Sequence, residues 1–278
     1  MLILGGTGSF GNAFVEKLLK EGKHDRIAIY SRCELKQFEM RERFNNDSRL
    51  RFLIGCVRDK ERLKLAMEGV STVVVAAALK RLEVAEYAPL EVMQTNIIGA
   101  ANAIEAAHHA DVKKVVYLST DKAASAINAY GASKLFAEKI MLAANHMFGE
   151  GGAKHSVCRY GNIWKSRGSI VPKWEEILKT SDTVPVTSPD CTRYFMTLDQ
   201  ATDLVLETIN TMKGGEINIP DLPGYRIGDL AEAFGAKMNI TGLPPAEKEA
   251  ETMDGITDSS QARRMTVEEL QNAIKSVY

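Results

Sequence analysis

The sequence predicts an α/β fold: a doubly wound parallel sheet followed by a small C-terminal α/β lobe. Three observations carry that expectation. Short apolar, β-branched runs alternate with helical patterns through the first 160 residues. A glycine-rich turn joins the first apolar run to the first helix. After Gly168 the composition shifts toward Pro, Thr and short segments. The expected division is 1–160 for the sheet domain and 161–278 mainly for the lobe, with room for later strands or helices to return to the sheet.

Leu2-Ile3-Leu4 reads as a short buried strand, followed at once by Gly5-Gly6-Thr7-Gly8-Ser9-Phe10-Gly11. A helix pattern comes next, with Phe14, Leu18 and Leu19 on one face and Gly22 near its end. Strand, glycine turn and helix in this order form a Rossmann-type dinucleotide fingerprint, because the glycines admit a pyrophosphate to the free N–H groups of a helix start. The second strand, Arg26–Tyr30, runs into Ser31-Arg32, with Lys36 one turn on. An acidic residue here would accept from ribose hydroxyls; a cationic one suits a 2′-phosphate, so NADP is favoured over NAD. The alternative is a solvated helix start.

Arg51–Gly55 and Thr72–Ala78 are further buried strands, separated by a helix from Glu61 to Met67. Residues 89–109 read as one long helix with Pro89 near its start and Ala- and Ile-rich faces suited to burial against another subunit. His108 and His109 read as surface residues at its end. Lys114–Leu118 is the next strand, and Leu135–Leu142 begins the helix after it. Gly214–Pro220 reads as a turn plus edge strand, and Ile227–Phe234 as a short helix.

The stretch Ser119–Lys134 carries the chemistry. Tyr130 and Lys134 are four residues apart and share one face if Tyr130 opens the helix. An ammonium beside a phenol favours the phenolate, which would let Tyr130 take a hydroxyl proton near neutral pH. Asp121 and Lys122 lie just upstream, either as acid and base or as a solvated turn in which Asp121 caps the following segment. Arg167 and Arg193 suit phosphate oxygens, or else structural ion pairs, and Asn162 is a short amide donor.

Lys plus Arg (35) nearly balance Asp plus Glu (36), so neither nucleic acid nor an anionic membrane surface is expected as a partner. No apolar run approaches the roughly 20 residues of a membrane span. The four cysteines are scattered, with no Cys-x-x-Cys and no clustered histidines, which fits reduced thiols, a cytoplasmic location and no metal site.

Gly5–Gly11, Ala76–Lys80, Ser119–Lys122 and Tyr130–Lys134 together resemble the extended short-chain dehydrogenase/reductase superfamily. Within it the chain most resembles the inverting UDP-N-acetylglucosamine 4,6-dehydratases. Tyr30-Ser31-Arg32-x-Glu34-Leu35-Lys36, Glu86-Tyr87-x-Pro89-Leu90-Glu91, Thr95-Asn96-Ile97 and Arg159-Tyr160-Gly161-Asn162 carry that likeness. Ser166-Arg167-Gly168-Ser169, Thr192-Arg193-Tyr194 and Glu247-Lys248 extend it.

The resemblance implies a UDP-sugar substrate, a tightly bound and recycled NADP, and a homo-oligomer. It implies oxidation at C4, elimination of water across C5–C6 with inversion at C5, and return of the hydride to C6. Tyr130, Lys134, Thr120, Asp121 and Lys122 would be the catalytic residues, with Thr120 on the C4 oxygen and the Asp-Lys pair typical of the inverting group. NADP would be held by Gly5, Thr7, Gly8, Ser9, Phe10, Gly11, Ser31, Arg32, Leu35, Lys36, Cys56, Val57, Ala76, Ala77, Ala78, Lys80, Leu118, Ser119, Tyr130 and Lys134. The sugar nucleotide would meet Lys80, Asn162, Arg167, Ser169, Arg193 and Glu247. For Lys122 to act as a base its pKa must fall, by burial and by cations such as Lys134.

Departures from the family pattern are Leu4, Cys56, Arg81-Leu82-Glu83, Ser125-Ala126 and Ala246. A related UDP-hexose 4-epimerase and a catalytically idle NADP-binding regulatory protein are the competing readings.

Overall fold

The computed structural model describes residues 1–149 and 151–276. Its centre is a seven-stranded, wholly parallel sheet. The strands are β1 (Leu2–Leu4), β2 (Ile27–Ser31), β3 (Leu50–Ile54), β4 (Thr72–Val75), β5 (Lys114–Leu118) and β6 (Lys154–Cys158), with β9 (Ile217–Asn218) at one edge. The spatial order is β3-β2-β1-β4-β5-β6-β9, so the winding reverses between β1 and β4. A ligand crevice opens at the carboxyl ends of the strands beside such a reversal.

Alternation along the strands sends side chains to two separate cores. Leu2, Leu4, Tyr30, Val73, Val75, Val115 and Tyr117 meet α3 (Lys60–Met67), α6 (Gly99–His109) and α7 (Ala129–Met147) on one face. Ile3, Ile29, Val74, Val116 and Cys158 meet α1 (Ser9–Glu21), α2 (Glu34–Arg43) and α9 (Leu198–Thr211) on the other. Burial on both faces explains why these strands read as continuous apolar runs.

Between β4 and α6 lie α4 (Leu82–Tyr87), α5 (Pro89–Val92) and a π-helical turn, Met93–Ile98. The expected single helix over 89–109 is therefore continuous but locally widened. The wider turn carries the buried Asn96, whose amide binds both the N–H and the carbonyl of Leu79 and the hydroxyl of Ser133. Strand β4 stops at Val75, short of the expected Ala78. Beyond it, Ala77 backbone lies 2.8 Å from where a Cβ on Gly5 would sit, so the chain leaves the ladder to pass the glycine turn.

A third core joins Trp164, Trp174, Val184, Val186, Tyr225, Leu230 and Leu270. It is framed by α8 (Ile170–Ile177), β7 (Thr183–Val186), β8 (Thr192–Tyr194), β10 (Gly224–Arg226), α10 (Ile227–Ala233), β11 (Lys237–Ile240) and α11 (Val267–Lys275). Here β8 pairs with β10 and β7 with β11 as two small sheets. Meanwhile β9 joins the large sheet, and α9 packs on its face beside α1.

Candidate active site

The glycine turn is shaped for a ligand. Gly5 has φ +80°, and a Cβ on Gly11 would stand 2.1 Å from the Gly6 carbonyl oxygen. Helix α1 starts at Ser9 behind the N-cap Gly8, which has no side chain to cap it, so N–H groups of its first turn are left for a ligand. Thr7 and Phe10 are buried; Ser9 accepts a hydrogen bond from the Arg167 N–H at 3.1 Å. That bond brings the Ser166–Ser169 segment onto the turn.

At the end of β2, Ser31 is buried and accepts from the Gln37 amide through both its carbonyl and its hydroxyl. Arg32, Leu35 and Lys36 are exposed beside it. Tyr30 donates to the Cys56 carbonyl at 3.0 Å, and Asn102 holds the Val57 carbonyl at 3.0 Å, fixing the loop after β3. Ala76, Ala77 and Ala78 are half-buried; Lys80 is exposed, and partial burial of its amine, with Arg81 beside it, lowers its pKa.

Beyond β5, Ser119 donates its N–H to the Cys158 carbonyl, and Thr120 caps a 3₁₀ turn over Asp121–Ala123. Thr120 donates to Asp121 Oδ1 at 2.9 Å, and Asp121 is fully buried. Asn128 caps α7 by accepting from the Gly131 N–H at 2.7 Å, which makes Tyr130 the second residue of the helix. A Cβ on Gly131 would lie 2.2 Å from the Lys122 carbonyl oxygen. Close approach at this one glycine sets the Asp121-Lys122 turn against Tyr130. Ser125, in the connecting loop, takes a left-handed φ of +52°.

Lys122 sits in a polar cage. Its Nζ is 3.2 Å from Asp121 Oδ1, 3.1 Å from Glu251 Oε1 and 3.4 Å from Asn162 Oδ1. Burial would lower its pKa, but the two carboxylates outweigh burial and raise it above the ordinary ammonium value, with Arg193 opposing them. The expected downward shift is thus corrected: the neighbours of Lys122 are mainly anionic.

Lys134 behaves differently from the expectation as well. Its Nζ donates to the Leu118 carbonyl at 2.5 Å and lies 3.9 Å from the centre of the Tyr117 ring. Burial pushes it down to about 7, against the pull of Glu138. Burial drives the Tyr130 phenol up to about 12, with Asp121 adding to the rise. Lys122, together with the Thr120 hydroxyl, supplies the opposing pull.

Of the residues expected on the sugar side, Asn162 touches Lys122 directly. Arg193, on β8, is buried; its guanidinium donates to the Thr192 and Glu249 carbonyls and lies 3.6 Å from Glu247. Ser169 has a buried hydroxyl with no partner among the described residues. Arg167 is exposed near the glycine turn, and no hydrogen bond or ion pair joins its side chain or Lys80 to the Lys122 cage among the described residues. Glu251 carries no mark in the sequence: in a run of alternating charges, Glu247-Lys248-Glu249-x-Glu251, nothing distinguishes a buried carboxylate from a solvated one.

No group of three or more His, Cys, Asp or Glu is placed to hold a metal among the described residues, and no helix is long and apolar enough to cross a membrane.

The doubly wound sheet, the glycine turn at its first crossover and the Tyr130–Lys134 pair on α7 define an extended short-chain dehydrogenase/reductase. The chain belongs to the polysaccharide biosynthesis protein family, matching it over residues 1–273. It is 45% identical to a UDP-N-acetylglucosamine 4,6-dehydratase (inverting) of Campylobacter jejuni, over 93% of this chain and 78% of that protein. It is 40% identical to a UDP-glucose 4-epimerase of Rickettsia prowazekii, over 94% of this chain and 79% of the relative. The crystal structure of Pen from Bacillus thuringiensis superposes with a TM-score of 0.91 at 35% identity, covering 98% of this chain and 96% of Pen.

Proposed function

We propose that the chain is a nucleotide-sugar 4,6-dehydratase that acts on UDP-N-acetylglucosamine with NADP and inverts C5. The observation that carries this reading is the convergence of Thr120, Asp121, Lys122, Tyr130 and Asn162 on one buried site at the carboxyl edge of β5 and β6. Oxidation at C4 is work for Tyr130, Lys134 and the Thr120 hydroxyl; two further proton-carrying groups, Asp121 and Lys122, suit an elimination. The likeness to the Campylobacter enzyme supports the same reading.

Gly5, Gly8 and Gly11 leave a cradle for a pyrophosphate, while Arg32 and Lys36 offer cations to a 2′-phosphate. When bound there, NADP⁺ supplies hydride acceptance from C4 and hydride return to C6. Tyr130, as the phenolate that Lys122 and the Thr120 hydroxyl favour against burial, takes the C4 hydroxyl proton, and Thr120 hydrogen-bonds the C4 oxygen. With C4 a ketone, the C5 proton becomes acidic; Asp121 and Lys122 then divide its removal and the protonation of the leaving 6-hydroxyl. Arg193 and Glu247 border the diphosphate side, and Arg167 and Ser169 lie on the segment that spans from the glycine turn.

The test is incubation of the purified protein with UDP-N-acetylglucosamine in deuterated water, followed by NMR of the product. Loss of the 6-hydroxyl with deuterium at C5 is the expected result. Absence of turnover by protein shown to hold NADP would overturn the reading. The likeness to the Rickettsia epimerase favours one competitor, a UDP-hexose 4-epimerase. It would yield the C4 epimer with the 6-hydroxyl kept and no deuterium at C5.

A further inference from the structure

We propose that Gln37 is a positioning residue that turns the proton of the Ser31 hydroxyl outward, so that the end of β2 donates to the cofactor and selects a 2′-phosphate over a free ribose hydroxyl. The proposal deepens the NADP part of the reading above and rests on it.

Gln37 and Met40 are the only buried residues of α2; the other eight are exposed. An amide at such a position needs partners, and Gln37, 5% exposed, has three. Its Nε2 lies 2.9 Å from the Leu53 carbonyl, 3.0 Å from Ser31 Oγ and 3.2 Å from the Ser31 carbonyl. Two of these are carbonyl oxygens, which can only accept, so the amide must turn its NH₂ group toward them and not its oxygen. Ser31 Oγ therefore accepts from Gln37 and cannot send its own proton there. Ser31 is 8% exposed, and its hydroxyl donates to no group among the described residues.

The place of this unused proton points to a ligand. Ser31 ends the strand beside the glycine turn, where the Gly5 N–H donates to the Tyr30 carbonyl at 2.8 Å. Ile27 and Ile29 enter the core beneath α1 and α2, so Ser31 turns to that same side. The ribose of a bound dinucleotide lies across the end of this strand. Arg32 and Lys36 stand exposed next to Ser31 and make no ion pair among the described residues, and the one carboxylate of the segment, Glu34, is exposed as well.

A free 2′-hydroxyl carries a proton and needs an acceptor, the part an acidic residue plays at this position. A 2′-phosphate offers acceptor oxygens and charge. A hydroxyl engaged from behind by an amide, with its proton facing out, matches the phosphate. Arg32 and Lys36 attract the charge, while Gln37 decides which way the Ser31 dipole points. Without Gln37 the hydroxyl is free to rotate and donate to the carbonyls that the amide now occupies.

The test reads which cofactor the folded full chain keeps. Protein is equilibrated with equal concentrations of NADP⁺ and NAD⁺, desalted and denatured, and the released dinucleotides are quantified by liquid chromatography. The wild type should retain mainly NADP⁺. Gln37→Met, similar in shape but without the amide, should lower the NADP⁺ to NAD⁺ ratio by about tenfold, the order expected for one hydrogen bond to a charged group. Ser31→Ala should lower it by a similar factor and the double variant no further, because Gln37 acts through Ser31. Should Gln37→Met not fold, Gln37→Asn, whose amide ends one methylene short, should give the same fall. An unchanged ratio in a folded variant would overturn the proposal. So would equal loss of both dinucleotides, the mark of a merely structural residue, or a double variant whose fall is the product of the single ones. A wild type that keeps NAD⁺ as readily as NADP⁺ would bring down the NADP reading and this proposal together. A wild type that prefers NADP⁺, with the preference unmoved in the Gln37 variants, would bring down the proposal alone.

Discussion

Lys122 and Tyr130 are coupled through a shared electrostatic environment: Lys122 lowers the Tyr130 phenol while Asp121 raises it. Removing either side chain should therefore harm catalysis in ways that differ from loss of binding. Tyr130→Phe and Lys122→Ala should each reduce turnover by about 100-fold or more, with NADP affinity changed little. Stopped-flow or steady-state kinetics beside a cofactor titration checks both. Near-normal dehydration by Lys122→Ala would remove Lys122 from the chemistry. Gly131 is the neighbouring residue with least tolerance. A methyl group there meets the Lys122 carbonyl at 2.2 Å, and backbone cannot swing aside as a side chain can. Gly131→Ala should lower Tm by roughly 3–10 °C and depress turnover further than the stability loss alone accounts for. Wild-type Tm with unchanged activity would show that the turn relaxes freely.

Among the elements, β6 links the site to the rest of the molecule. Arg159 at its end pairs with Glu138 of α7 and donates to the Met253 carbonyl at 2.6 Å, which holds the segment bearing Glu251 near the cage. Inside the same strand, His155 is buried with neither ring nitrogen hydrogen-bonded among the described residues, and burial pushes its pKa down to about 4. The folded state thus binds this proton less readily than the unfolded chain, whose His titrates near 6.5. The contribution to stability is complete above about pH 6.5 and is lost as pH falls through 4. Tm should decline over that window, and His155→Leu should flatten the decline; thermal melts at pH 7, 5.5 and 4.5 check it. An equal decline in the variant would place the acid sensitivity elsewhere. The strands and first crossovers were legible in sequence because burial on both faces leaves an unmistakable apolar signal. The π-helical turn at Met93–Ile98 was not, since its cause is a long-range bond set between Asn96, Leu79 and Ser133. The site divides in the same way. Tyr130, Lys134, Asp121 and Lys122 were legible because they are close in sequence. The place of Glu251 and the contacts of Lys134 with Leu118 and Tyr117 depend on which chain segments meet in space.

At the scale of the molecule, several large apolar side chains face water on neighbouring elements. Val84, Tyr87, Leu90, Met93, Ile98, Phe136 and Met147 are exposed large hydrophobics on α4, α5, the π-helical turn and α7. Those elements pack against one another, so their outer faces form a neighbouring set and not scattered points. Tyr87 is 93% exposed and Leu90 70% exposed, the level expected of residues awaiting a partner. A second copy presenting the same helices would bury both sets at once in a two-fold contact. It would also stiffen α7, the helix on which Tyr130 and Lys134 stand. The chain should therefore sediment as a dimer at micromolar concentration, and Phe136→Glu with Leu90→Glu should shift it toward monomer. Because α7 also carries Tyr130 and Lys134, the monomeric variant should lose Tm and turnover together. Sedimentation velocity across a concentration series decides the matter. A wild-type monomer at tens of micromolar would mean that this face serves another partner.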